Sequence, residues 1–156
     1  MFQKKIILLL LLLLSSCGYE AIHSKKNSIN YSFSVSELTF VGDRTVNLKI
    51  KEKLNNYTLG KKDKDFILKI SSTSEKIILA KNIAGDATSF KNTISINIDV
   101  LMNNKFKNNF IISENFNYNN ISNKFNLKKY EEEIKNNLAE TVSDKLIFKL
   151  SSIQWY

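Results

Sequence analysis

The sequence predicts an α+β domain: a two-layer sandwich with two helices packed on a mostly antiparallel sheet of about four strands, in the order β-α-β-β-β-α. Three observations carry this. Apolar residues recur about every four positions in two stretches, from Val46 to Tyr57 and from Tyr130 to Ile153, the spacing that lines one face of a helix. Ile94, Ile96, Ile98, Val100 and Met102 alternate strictly against Thr93, Ser95, Asn97 and Asp99, the period of a half-buried strand. The chain has no proline and only four glycines, so no long flexible linker divides it. Two amphipathic helices can cover one sheet face while the other, carrying Ser, Thr, Asn and Lys, meets water.

The N-terminus is of a different kind. Met1-Phe2-Gln3-Lys4-Lys5 is a short basic head, and Ile6 to Leu14 is an unbroken apolar run. A basic head, an apolar stretch of roughly 7–15 residues and small residues before a cut define a secretory signal peptide. A membrane-spanning helix takes about 20 apolar residues, so this run is too short for one. Residues 1–16 are therefore expected to be removed on export. Leu14-Ser15-Ser16-Cys17 resembles the bacterial lipobox: an aliphatic residue, two small residues, then cysteine. That resemblance implies a diacylglyceryl group on the Cys17 thiol, cleavage before Cys17 and acylation of its new amine. Cys17 is the only cysteine, so an internal disulfide is excluded. The other readings of a lone exported cysteine are an intermolecular bridge or a reactive thiol.

Residues 17–30 then form a lipidated tether, polar from Ala21 onward, and residues 31–156 a single domain. Tyr31 to Phe40 reads as a strand. Phe33 and Val35 share one phase and Leu38 and Phe40 the other, which predicts a bulge near Ser36-Glu37. Gly42-Asp43 breaks the strand, and Asp43 is a good helix N-cap. Val46, Ile50, Leu54 and Tyr57 line one face of the first helix, with Gly60 as its natural stop. Lys61, Lys62 and Lys64 make a basic loop. Phe66, Leu68 and Ile70 alternate, and apolar character resumes at Ile77 to Ala80. This predicts one long bulged strand or a hairpin turning at Ser72-Thr73-Ser74. Ala84-Gly85-Asp86-Ala87 is a turn, and Asn103-Asn104 another. Phe106, Phe110, Ile112, Phe116 and Tyr118 share a phase in the last strand. The closing helix begins at Lys128-Lys129-Tyr130-Glu131. Glu131, Glu132 and Glu133 near its start, and Lys145 and Lys149 near its end, have the signs that favour the helix dipole.

Little in the chain resembles catalytic equipment. The single histidine, His23, falls in the tether. A Cys/His zinc site is excluded, a Ser-His or Cys-His nucleophile system is not expected, and no glycine-rich phosphate loop is present. Consecutive Glu131, Glu132 and Glu133 point in different directions on a helix and make no acid/base pair. The chain is expected to be a binding or assembly component and not an enzyme, with no cofactor.

Without residues 1–16 the formal charge is +6 over 140 residues. That excess favours an anionic partner, unless it only follows from a composition rich in Lys, Asn and Ile. Export argues against nucleic acid and for lipid phosphates. The candidate anionic-lipid contacts are Lys61, Lys62, Lys64, Lys105, Lys107, Lys128 and Lys129. All flank turns or element ends, where lysine also serves as a solvated rim or edge protector. Tyr118, Trp155 and Tyr156 are either partner-facing aromatics or caps on the core.

Several segments in order resemble one family. They are Cys17-Gly18-Tyr19 after the lipobox, Phe40 to Asp43 before the first helix, Leu79-Ala80-Lys81-Asn82-Ile83-Ala84-Gly85-Asp86-Ala87-Thr88, and the helix opening Lys128-Lys129-Tyr130-Glu131. Together they resemble the lipopolysaccharide-assembly lipoprotein LptE in its alphaproteobacterial form, over nearly the whole chain. The resemblance implies a lipid-anchored, periplasm-facing outer-membrane protein. Such a protein plugs the LptD β-barrel, helps it assemble, and assists insertion of lipopolysaccharide into the outer leaflet. The alternative is an auxiliary lipoprotein of an envelope lipid or solute ABC transporter. Because the thiol is the expected acyl acceptor, Cys17→Ser should leave an unprocessed or mislocalised precursor. Fractionation and intact mass of the membrane-bound chain check this; normal processing in the variant would contradict it.

Overall fold

In a computed structural model, residues 33–103 and 105–153 are described. Strand β1 (Phe33–Gly42) leads into helix α1 (Arg44–Leu54), a short 3-10 turn (Asn55–Tyr57) and the long strands β2 (Lys64–Lys81), β3 (Ala87–Met102) and β4 (Lys105–Asn119). Helix α2 (Lys124–Ser152) closes the domain. The sheet order is β1-β2-β3-β4. β1 runs parallel to β2 because α1 carries the chain back to the same end, while the other two pairings are antiparallel. The sheet is thus mixed but mostly antiparallel, and both helices lie on one face.

The core forms where periodicity placed it. Val46, Ile50 and Leu54 of α1 and Ile134, Leu138, Val142, Leu146 and Leu150 of α2 are buried. They meet Phe66, Leu68 and Ile70 of β2 and Ile94, Ile96, Ile98 and Val100 of β3. Burying one such side chain contributes about 1.5–3 kcal/mol, so these residues dominate stability. Lys53 of α1 also reaches Glu140 (2.7 Å) and Asp144 (3.0 Å) on one turn of α2.

The corner between β1 and α1 is tightly built. Gly42 has φ +99, and a Cβ there would lie 1.9 Å from the Ser72 carbonyl oxygen. Only glycine fits both conditions. The Asp43 N–H donates to that same oxygen (3.1 Å), and its carboxylate accepts from the Val46 N–H (3.1 Å) and pairs with Lys135 of α2 (2.6 Å). Burial alone would push the Asp43 carboxyl up. Lys135 and the Val46 and Thr45 N–H groups outweigh it and hold the carboxyl below its ordinary value. Hydrogen bonding from Lys53 likewise lowers Glu140.

The bulge at Ser36 is present, since the β1–β2 register shifts between Val35 and Glu37. Other expectations need correction. β1 continues to Gly42 and does not stop at Phe40. α1 ends at Leu54, before Gly60, because consecutive asparagines are poor helix formers and Thr58 closes a tighter turn onto the Asn55 carbonyl. Tyr57 still completes the apolar face, stacking on Phe33 at 4.6 Å. β2 passes straight through Ser72-Thr73-Ser74, so the hairpin alternative fails; its register shifts come between Ile78 and Lys81. α2 begins at Lys124, not Lys128. The Asn123 side chain caps it by accepting from the Phe125 and Asn126 N–H groups. Glu131, Glu132 and Glu133 therefore lie beyond the first turn, which holds no acid. Lys149 is in the last turn, but Lys145 instead pairs with Glu114 of β4.

Phe106 is the clearest phase error. Leu101 pairs with Phe106 and Val100 with Asn108, leaving Lys107 as an extra residue. A one-residue bulge moves the preceding side chain to the opposite face. Phe106 thus leaves the phase of Phe110 and Tyr118 and joins Leu101 and Ile67 on the helix-free face.

Two predictions follow from the corner. Gly42→Ala should destabilise the domain by at least about 1–3 kcal/mol from backbone strain alone, with the clash adding to it; urea unfolding reads the loss. Asp43 has a depressed folded pKa, so its stabilisation is complete above the ordinary carboxylate value near pH 4 and is lost as pH falls through the folded value. Asp43→Asn keeps a capping oxygen without the charge. Unfolding measured at neutral pH and near pH 3 should show a smaller pH dependence in this variant than in the parent.

Candidate functional site

Cys17, the tether, His23, Trp155 and Tyr156 lie outside the described residues. The seven candidate lysines do not form one site. β1 and β2 start at the same end of the sheet, where Phe33 pairs with Lys64. The β3–β4 turn is at that end too, because Ile67 pairs with Leu101. Lys61, Lys62 and Lys64 are therefore brought to the same end as Lys105 and Lys107. The end of α2 joins them: the Lys64 ammonium donates to the Ile153 carbonyl at 3.4 Å. A helix C-terminus carries partial negative charge, so this is a favourable contact. Lys128 and Lys129 are exposed on α2 at the opposite end, near the β2–β3 turn.

That turn is held by its own polar atoms. The Asn82 N–H donates to the Asp86 carbonyl (2.9 Å), and the Asp86 N–H to the Asn82 side chain (2.8 Å). Gly85 takes φ +88. Ile83 stands fully exposed at the tip. β1 reaches only to Ser72 of β2, so β2 and β3 continue past it, with β4 paired to β3 as far as Ser89.

A polar knot fastens the start of α2 to this extension. Glu131 pairs with Lys76 of β2 and accepts from the Tyr118 hydroxyl (2.9 Å). The Lys76 ammonium also sits 4.0 Å from the centre of the Phe90 ring. Burial, reinforced by the Glu131 carboxylate, raises the Tyr118 pKa well above its ordinary value, so this hydroxyl stays protonated and donating. Glu132 is exposed, and Glu133 faces a cleft with Phe116, Tyr130 and Asn137. The three glutamates thus point apart. That cleft, between α2 and β4, encloses about 290 Å³. Tyr118 is buried, engaged by Glu131 and in edge contact with Tyr130 at 5.9 Å. It belongs to the core, and the partner-facing alternative for it fails.

The helix-free sheet face mixes polar side chains with exposed Val41, Phe106 and Ile111. A shallow hollow there is lined by Thr39, Val41, Lys69, Ser71, Asn97 and Asp99. Asn109 donates to Asn97 (2.8 Å) and Asp99 (2.7 Å) across two strands. Among the described residues no group of three His, Cys, Asp or Glu side chains is placed to hold a metal ion, and no helix is long and apolar enough to cross a membrane. Sequence reasoning missed the exposed apolar residues beside the lysines, Leu59 and Phe106. The signal was present in Leu59-Gly60-Lys61-Lys62 and Lys105-Phe106-Lys107, where an apolar residue sits among lysines.

Glu131→Ala should leave the buried Tyr118 hydroxyl without its acceptor. Losing a hydrogen bond to a charged group costs about 1.5–3 kcal/mol. Thermal or urea unfolding of the variant measures it, and Tyr118→Phe combined with Glu131→Ala should cost little more than Glu131→Ala alone.

No family model matches the chain, and no curated protein matches its sequence. Solved structures do share its fold. Rare lipoprotein B from Shewanella oneidensis superposes with a TM-score of 0.60 at 12% identity, covering 74% of this chain and 94% of that one. An uncharacterized lipoprotein B from Nitrosomonas europaea gives 0.60 at 15% identity, covering 77% and 83%. A minor lipoprotein from Acinetobacter baumannii gives 0.58 at 8% identity, covering 77% and 93%. At such identities the likeness is one of fold.

Proposed function

We propose that the chain is an outer-membrane lipoprotein of the LptE type. It is held by acyl chains on Cys17 and seated in an LptD-type β-barrel that inserts lipopolysaccharide into the outer leaflet. The observation that carries this reading is a conjunction: a lipobox at Leu14 to Cys17 precedes a domain that shares its fold with proteins described as lipoproteins. Two or three acyl chains bury many CH₂ groups at about 0.8 kcal/mol each, so anchoring by Cys17 is stable.

The architecture suits a plug. Both helices cover one sheet face and seal a single core, which makes the body rigid. The other face offers Thr39, Lys69, Ser71, Asn97 and Asp99 beside exposed Val41 and Ile111, and its polar groups suit the polar interior of a large barrel. The protein works by binding and positioning, with no reaction of its own. Lysines at both ends supply positive charge for lipid phosphates through charge-assisted hydrogen bonds.

Mild-detergent pull-down of the tagged mature protein from outer membranes, with mass spectrometry of its partners, tests the reading. A near-stoichiometric LptD-type barrel is expected. Recovery of inner-membrane ATPase components without a barrel would instead support an auxiliary transporter lipoprotein.

A further inference from the structure

The end of the domain where β1 begins is both basic and greasy. Leu59 and Phe106 are 72% and 62% exposed there. Leu59 precedes Lys61 in the loop before β2, and Phe106 lies between Lys105 and Lys107 in the β3–β4 hairpin. Lys61, Lys105 and Lys107 are exposed. Of the acids at this end, Asp65 is engaged by the Ser34 hydroxyl at 2.7 Å, and Asp63 and Glu37 are exposed. The balance is positive. Apolar side chains that enter the headgroup boundary, beside lysines that meet anionic headgroups, are the chemistry of a membrane-surface contact.

The opposite end offers a similar mixture: Ile83 and Phe125 are exposed, and Lys128 and Lys129 are close by. Chain geometry decides between the two. Sixteen residue steps separate Cys17 from Phe33, a reach of at most about 58 Å at full extension. Phe33 is at the Leu59–Phe106 end. The sixteen residues of β3 span about 53 Å, so for the domain to stand on its far end the tether must stretch along nearly the whole strand length. The near end can meet it with the tether far short of full extension.

We infer that the lipid-anchored protein rests its Leu59–Lys61 loop and its Lys105–Phe106–Lys107 hairpin on the anionic phospholipid surface that holds Cys17. This rests on the acylation of Cys17. The surface contact then fixes which end of the free domain faces the bilayer before a barrel receives it.

The test uses the mature lipoprotein, reconstituted into phosphatidylcholine vesicles containing or lacking phosphatidylglycerol. Intact mass reads acylation at Cys17, and amide hydrogen exchange reads the contact. Exchange at residues 59–62 and 105–107 should slow on the anionic vesicles, recover at high salt, and leave residues 82–86 unchanged. Lys105→Gln with Lys107→Gln should reduce the protection about fivefold per lysine, the equivalent of about 1 kcal/mol per charge near an anionic surface. These side chains are exposed, and unchanged exchange in the core strands verifies that the variant is folded. Equal exchange on both vesicle types in an acylated protein overturns the surface contact and leaves the anchor standing. Slowing at residues 82–86 instead overturns the orientation. A chain without acyl groups overturns the inference together with the anchor.

Discussion

The junction of Gly42 and Asp43 holds four elements together. The Ser72 carbonyl oxygen of β2 lies where a Gly42 Cβ would stand and accepts the Asp43 N–H. The Asp43 carboxylate then caps α1 and reaches Lys135 of α2. β1, β2, α1 and α2 therefore share one corner about two residues wide. This corner sets the direction in which α1 leaves the sheet. A crossover must return α1 over one face before β2 can run parallel to β1, and α2 packs beside it. The Lys53 contacts to Glu140 and Asp144 secure the far end of the same helix pair.

The consequences reach the surface. Because β1 ends at this corner, β2 and β3 extend beyond it, supported on one side by β4 and on the helical face by the Glu131–Tyr118–Lys76 knot. Because both helices occupy one face, the other is left uncovered, with Thr39, Lys69, Ser71 and Asn97 beside exposed Val41 and Ile111. The two ends of the sheet acquire different roles from the connectivity. One receives the chain arriving from Cys17; the other carries the longest hairpin and the start of α2. One sealed core, one uncovered sheet face and two basic ends are the features that the proposed lipid-anchored plug requires.

The element order and the core were legible in the sequence because burial imposes periodicity. Ile94, Ile96, Ile98 and Val100 alternate since one sheet face is dry, and Ile134, Leu138, Val142, Leu146 and Leu150 repeat since one helix face is dry. The Ser36 bulge was readable from the change of phase between Val35 and Leu38. Local signals misled where tertiary context decides. Several residues between Asn117 and Asn123 are plausible caps, so nothing local singled out Asn123 as the start of α2. The Lys107 bulge hides in the sequence because Phe106 keeps the spacing of Phe110, although it faces the other way. The seven lysines were visible, but their division between two ends depends on strand direction, which sequence does not display. Glu131 read as a dipole partner, whereas its carboxylate is used by Tyr118 and Lys76, residues far from it along the chain.

The proposed function of this domain is to support a lipopolysaccharide-inserting barrel. Depleting the protein in its native cell, then measuring the mature barrel and the lipopolysaccharide on the cell surface, tests it most directly. Both should fall together, and restoring the parent chain but not a Cys17→Ser chain should recover them. A cell that keeps a full complement of mature barrel and surface lipopolysaccharide after depletion would contradict it.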